Sequence, residues 1–129
     1  MNSAIILFAH GARDPEWAEP FFNIRERVAK QFPDVPVHVA FLEIMQPSLK
    51  EAVGKLAITG TKHITLIPLF LARGGHLKQD MPRLLSDIYQ LYPDTHFHTA
   101  PAIGEVDTIL NSITQWIGEQ HQHQPQPRQ

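Results

Sequence analysis

The sequence predicts an α/β fold: an open four-stranded parallel sheet with helices on both faces. Three observations predict it. Short apolar runs lack polar alternation, as strands buried on both faces do. Each run is followed by a stretch whose apolar residues recur at helical spacing. The strand-then-helix order repeats four times, which is the pattern of right-handed crossovers between parallel strands.

Residues 4–9, AIILFA, read as a central strand, with His10 and Gly11 directly after it. Asp14 then Pro15 has the form of an N-cap with proline at the first helical position. Trp17, Phe21, Ile24 and Val28 stripe a helix over 15–32, which Pro33 stops. Residues 35–42 form the second strand, closed by Glu43. Gln46-Pro47-Ser48 opens a second helix striped by Leu49, Val53 and Leu56, with Gly60 as its C-terminal cap.

The third strand and the loop after it carry the most chemistry. Residues 66–82 read LIPLFLARGGHLKQDMP. An apolar run over 64–71 leads into Gly74 and Gly75, where the backbone turns freely and approaches a ligand closely. His76 comes next, then Asp80 as the expected N-cap and Pro82 in the first turn of a helix. Met81, Leu84, Leu85, Ile88 and Leu91 stripe that helix, which ends before Pro93. Residues 95–99 form a weaker fourth strand, and Val106, Ile109, Leu110, Ile113 and Ile117 stripe a fourth helix. A single domain over 1–120 is expected, with a disordered polar tail, HQHQPQPRQ, over 121–129.

Bulk composition narrows the function classes. The chain has 129 residues, suited to one domain, and a formal charge of -2, so no nucleic acid or membrane partner is expected. It has no cysteine, which rules out disulfides and thiolate metal sites and fits a cytoplasmic setting. The amino-terminal run lacks the basic segment of a signal peptide. No phosphate-binding glycine loop occurs, so no nucleotide cofactor is expected, and no nucleophile elbow occurs.

Three residues stand just past strand ends: His10, Glu43 and His76. In a parallel sheet those ends share one edge, so residues distant in sequence meet in one crevice. Two imidazoles and a carboxylate form a borderline ligand set suited to Co²⁺, Ni²⁺, Fe²⁺ or Zn²⁺. Two histidines leave coordination positions open, as an exchange or catalytic site requires. Taken singly, each has a plainer role: His10 as a cap or solvated side chain, Glu43 as a solvent-facing carboxylate, Asp80 as an N-cap. Arg13, Arg73, Lys78 and Arg83 are the cations near the crevice, available to carboxylates of an acidic ligand. His38, His63, His96 and His98 lie at or within strands and are expected to face solvent or a partner. Four strands make a small parallel sheet, and a two-lobed cleft would need its second lobe from another copy of the chain.

Three segments carry a family resemblance. They are HGARDP at 10–15, FLE at 41–43 with PSL at 47–49, and PLFLARGGHLKQDMP at 68–82. Together they resemble the small CbiX-type class II chelatases. The resemblance implies a chelatase-like, flavodoxin-like three-layer fold and a symmetric homodimer. It implies ATP-independent insertion of a divalent metal, Co²⁺ foremost, into sirohydrochlorin for cobalamin biosynthesis. Relatives insert Fe²⁺ or Ni²⁺. On that pattern His10 and His76 are the metal-handling and catalytic histidines, with Glu43 as a further metal ligand. Arg13, Arg73, Gly74, Gly75 and Lys78 would meet the tetrapyrrole and its carboxylates. Ala9 stands where relatives often have glycine, and Ala12 where many have serine. Two rivals remain: a non-catalytic metal carrier on this scaffold, and a receiver-like regulatory domain, which would want acidic residues after the first strand.

Overall fold

A computed structural model describes residues 2–72 and 74–123, without the side chains of Gly75 and His76. Four parallel strands, β1 (Ser3–Ala9), β2 (Val37–Phe41), β3 (His63–Pro68) and β4 (His96–Thr99), form one sheet in the order β2-β1-β3-β4. The helices are α1 (Glu19–Gln31), α2 (Leu49–Ile58), α3 (Gly75–Leu91) and α4 (Asp107–Gln122). β1 and β3 are the central strands, as the sequence predicts. Their ends open toward the loop that carries His10 and the start of α3, which carries His76.

Successive residues of a strand face opposite sides of a sheet. Ile6 and Phe8 of β1, with Ile64 and Leu66 of β3, therefore share one face. There they meet Val53 and Leu56 of α2 and Leu77, Met81 and Ile88 of α3, all buried. The other face presents Leu7 and Ala9 of β1 and Val39 and Phe41 of β2. Trp17 and Phe21 cover these from α1 and the 3₁₀ turn before it, Pro15–Ala18. Burial on both sides explains why β1 is apolar throughout.

Local signals behave as their chemistry dictates at two helix starts. The Asp14 carboxylate accepts the Glu16 N–H at 3.0 Å, and Pro15 follows it. At α2 the Ser48 hydroxyl accepts the Glu51 N–H at 3.1 Å. Glu51 in turn accepts the Ser48 N–H at 3.1 Å, a reciprocal capping box. The Ser48 backbone N–H first, and its hydroxyl second, favour the ionised carboxylate and hold Glu51 below the usual glutamate range.

The third helix departs from expectation. It begins at Gly75, capped by Gly74, so Asp80 is not an N-cap and Pro82 lies well inside the helix. Proline there forfeits a hydrogen bond and costs about 3 kcal/mol. Leu77 and Met81, both nearly fully buried, offset it at roughly 1.5–3 kcal/mol each. Packing of the first two turns against the sheet thus overrides the local signal. The fourth helix runs on to Gln122, two residues into the stretch set apart as a tail, and 124–129 lie outside the described residues. Among the described residues, no helix is long and apolar enough to cross a membrane.

Candidate functional site

The end of β1 and the end of β2 are joined beyond the last paired strand residues. The Leu42 N–H donates to the Ala9 carbonyl at 2.9 Å, and the Glu43 N–H donates to the His10 carbonyl at 3.1 Å. This zipper carries two candidate side chains to the same point. The His10 Nε2 lies 2.9 Å from the Glu43 Oε1. Their side chains are 51% and 56% exposed, so a cation from solvent can reach both. The edge of Phe70 abuts the His10 ring, with centroids 6.5 Å apart and planes at 88°.

Two backbone features hold Glu43 in this pose. Gly11 has φ +101°, and a Cβ there would collide with the Glu43 carbonyl. Only glycine lets the two loops lie this close. On the other side, Ile44 has φ 69°, and the Met45 N–H donates to the Glu43 carbonyl at 2.7 Å. This is a γ-turn of the rarer, positive-φ kind. For a β-branched residue such a backbone costs about 1–3 kcal/mol, and such strain concentrates at functional sites. The chain thereby reverses directly after Glu43 and leaves the Ile44 side chain 62% exposed.

A carboxylate only accepts hydrogen bonds. Neutral His10 therefore donates through Nε2 to Glu43 and keeps its lone pair on Nδ1. Carboxylate support of this kind fixes the tautomer and raises the basicity of a ligating imidazole. The pair can work in two ways: His10 as ligand with Glu43 orienting it, or both as donors once a cation displaces the shared proton. Among the described residues, no group of three or more His, Asp or Glu side chains could hold a metal ion. The described donors thus form a partial site, with room for other ligands.

Beside this pair is a cavity of about 320 Å³, lined by His10, Leu42, Glu43, Ala72, Gly74, Leu77 and Asp80. Its walls are mostly apolar and its polar groups converge, the usual build of a small-molecule site. α3 carries His76 in its first turn, between Gly74 and Leu77, which both line the cavity. The His76 side chain is outside the described residues, and Arg73 is outside them altogether. Gly74 is at the cavity, and Gly75 opens α3 beside it. Lys78 is exposed on α3, its N–H donating to the Gly74 carbonyl at 3.1 Å. Arg13 is elsewhere. It lines a second depression of about 370 Å³ with Phe22, Phe41, Ile44 and Met45.

Several contributors carry no clear signal in the sequence. Asp80, which has the form of a cap, lies in the second turn of α3 and lines the cavity. Leu42 and Leu77 form its apolar walls and Phe70 stands against the His10 ring, and nothing in an apolar strand end distinguishes a wall from core. Ile44 gives no signal, because a β-branched residue is the least expected at positive φ. Of the remaining histidines, His63, His96 and His98 are exposed, as expected, and His38 is half-buried.

Comparison with known proteins agrees with this architecture. The CbiX family model matches residues 4–120. Sirohydrochlorin cobaltochelatase of Methanopyrus kandleri is 38% identical over 82 residues, 64% of this chain and 57% of that relative. The matched stretch thus spans little more than half of that relative. The crystal structure of a CbiX protein from Marinobacter aquaeolei VT8, named for cobalamin (vitamin B12) biosynthesis, superposes with TM-score 0.79. It is 30% identical, over 92% of this chain and 96% of that one. The sirohydrochlorin chelatase SirB of Bacillus subtilis subspecies spizizenii, solved with cobalt, has the same fold at TM-score 0.71 and 23% identity. That match covers 92% of this chain but 51% of SirB. With the family model matched along nearly the whole domain, the chain belongs to the CbiX family.

Proposed function

We propose that this protein is a sirohydrochlorin cobaltochelatase: it inserts a divalent metal, Co²⁺ foremost, into sirohydrochlorin without ATP, in cobalamin biosynthesis. Its proposed setting is the cytoplasm. The observation that carries the reading is the His10–Glu43 pair, 2.9 Å apart and open to solvent at the mouth of a cavity. His76 is assigned as the second metal-handling histidine on its place in the first turn of α3, beside that cavity.

Metal insertion sets three tasks. The cation must be held loosely enough to be passed on. The macrocycle must lose two pyrrole protons. The ring must be seated with its nitrogens turned toward the incoming ion. His10, supported by Glu43, supplies an imidazole for the first task and a proton acceptor for the second, since histidine titrates near neutrality. Proton release to Glu43 is equally open along the 2.9 Å contact. Gly74 and the apolar walls Leu42 and Leu77 would seat the ring, with Lys78 toward its carboxylates; Arg73, outside the described residues, keeps the role the family resemblance implies. Arg13, on the far side of Ile44, would reach only a peripheral carboxylate.

Ligand pockets run from about 300 to 1,000 Å³, and a carboxylate-rich tetrapyrrole belongs toward the large end. A cavity near 320 Å³ covers part of such a ring. A second copy of the chain, facing the first across the macrocycle, would supply the other wall, and a homodimer is the proposed working unit.

The test follows the absorption spectrum of sirohydrochlorin with purified protein and Co²⁺, Fe²⁺ or Ni²⁺. Acceleration that is fastest with Co²⁺ is expected. His10→Ala should lower the rate at least 100-fold, and Glu43→Gln about 10–100-fold, the usual cost of losing a ligand's supporting partner. Acceleration with Fe²⁺ or Ni²⁺ alone would reassign the metal. Metal binding without acceleration by any of the three would reject the enzyme in favour of a carrier.

A further inference from the structure

Three of the chain's histidines, His63, His96 and His98, have no part in the candidate site. They stand on β3 and β4, and His63 and His96 open those two strands. Parallel pairing sets His63 directly beside His96, and Thr65 beside His98. All three histidines are exposed, while Ile64 is buried and Phe97 packs on the core. Alternation along each strand therefore puts the three imidazoles on one face of the sheet. His63 is level with Ser3 at the start of β1, and His10 follows the end of that strand. The length of β1, about 20 Å, thus separates this group from His10 and Glu43.

His63 and His96 are spaced as two ligands of one ion are. Their ring centroids lie 5.3 Å apart, with planes at 21°. A cation held tetrahedrally at about 2.1 Å from one nitrogen of each ring sets the centroids about 5 Å apart. The strand ladder already holds the rings at that spacing. Rotation about the side-chain bonds alone turns a nitrogen of each toward a common point, and no strand has to move. Two neutral imidazoles can also simply stack. Stacking gives no reason for a third imidazole on the same face, and two protonated rings directly opposite each other repel. A shared cation removes that repulsion and uses both lone pairs.

We infer that His63 and His96 form a second metal site, for a late first-row divalent cation that favours imidazole: Cu²⁺, Ni²⁺, Zn²⁺ or Co²⁺. Among the described residues, no group of three or more His, Asp or Glu side chains could hold a metal ion. The site is therefore a two-histidine one, with water in the remaining positions. Such a site is open and exchanges its ion, unlike a closed structural centre. His98 shares the face without belonging to the pair. The inference goes beyond the proposed reaction and stands without it, since it concerns metal binding alone.

Ni²⁺ is the probe. The reference protein is the full chain with His10→Ala, His76→Ala, His121→Gln and His123→Gln, which removes the histidines of the candidate site and of the end of α4. Calorimetric titration of this protein is expected to show one equivalent of Ni²⁺ bound per chain. Adding His96→Gln, or His63→Gln, should lower the affinity about 10-fold or more, as loss of one arm of a chelate does. His38→Gln, on β2 and half-buried, should leave it unchanged. Thermal melting of each variant checks that the fold is kept. Cu²⁺ on the reference protein should show paramagnetic resonance splitting from two imidazole nitrogens. A reference protein that binds no Ni²⁺ overturns the inference. So does an equal loss with His38→Gln, which would mark adventitious surface binding only. A loss with His96→Gln but none with His63→Gln overturns the assigned pair in favour of His96 and His98.

Discussion

The two faces of this sheet are built to different standards. Over the face that carries Phe8 and Leu66, α2 and α3 bury Val53, Leu56, Leu77, Met81 and Ile88. Over the other, α1 has no fully buried residue, and the buried set is Leu7, Ala9, Ala18, Val39 and Phe41. The candidate site belongs to the tightly packed side. Leu42 and Leu77, which line its cavity, pack with that core, and the ring of Phe70 joins the core to His10. Side chains proposed to hold a metal and accept a proton need locked surroundings. The looser face carries Arg13 and Ile44 around the second depression.

The strongest way to break that contrast is to cut one residue from each face. Phe8 is fully buried and stands edge-on to Phe70, with centroids 5.5 Å apart. Phe8→Ala should cost about 3–5 kcal/mol in urea unfolding. It should also slow the proposed metal insertion, because Phe70 loses the ring packed against it beside His10. Ile67→Ala on the looser face, where the side chain is only half-buried, should cost about 1 kcal/mol. Equal costs would mean that the two faces are packed alike. Gly11→Ala comes next. It combines positive φ with a collision at the Glu43 carbonyl, worth about 2 kcal/mol or more. Metal affinity should fall with it, read by calorimetric titration, because His10 and Glu43 can no longer be zipped together.

The packed side is more legible in the sequence than the open one. Continuous apolar runs mark strands covered on both faces, and the order of strands and helices restricts the sheet to very few topologies. His10 and Glu43 can be found because strand ends in a parallel sheet converge. Asp80 and Pro82 mislead, because their local preference names a helix start while the burial of Leu77 and Met81 decides it. The strained Ile44 is invisible, since its conformation is imposed by Gly11 and by the turn after Glu43, not by its own side chain. The stripe of α4 is plain in the sequence as an apolar face. Which surface covers it is a property of the assembled fold, and a periodicity in one helix contains no such information.

A smaller effect tests the packed side at its rim. Ser48 caps α2 through a bond that sits at the surface, with the helix behind it anchored by Leu49 and Val53. Ser48→Ala should cost about 1 kcal/mol, the usual worth of an N-cap. It should also release Glu51 part of the way toward the ordinary glutamate range, since the hydroxyl is lost while the larger contribution, from the backbone N–H at that position, remains. A carboxylate held low stabilises the native state above its unfolded pKa, and that contribution fades as pH falls through the native value. The melting temperature of Ser48→Ala should therefore converge on that of wild type in acid. A constant difference at every pH would assign the cost to helix propensity alone.

The smallest effect sits on β2, the edge strand where the two faces meet. His38 is held below its usual value of 6.5, first by burial, then by the charges of Arg25 and Lys55. Arg25 belongs to α1 and Lys55 to α2, so cations from both layers oppose a third positive charge on this strand. The sign is set by proton binding in the two states. Above pH 6.5 His38 is neutral whether folded or not, and its environment imposes no penalty. As pH falls through 6.5, the unfolded chain takes up a proton that the native state resists, and stability declines until the native His38 also protonates. His38→Gln removes the difference. The melting curve of the variant should be flatter than that of wild type between about pH 7 and 5, with the two profiles offset by a constant above that range. Lys55→Gln should recover part of the same flattening from the α2 side and Arg25→Gln part from the α1 side. Equal recovery would mean that the edge strand senses both layers alike, and that the contrast between the faces ends at β2.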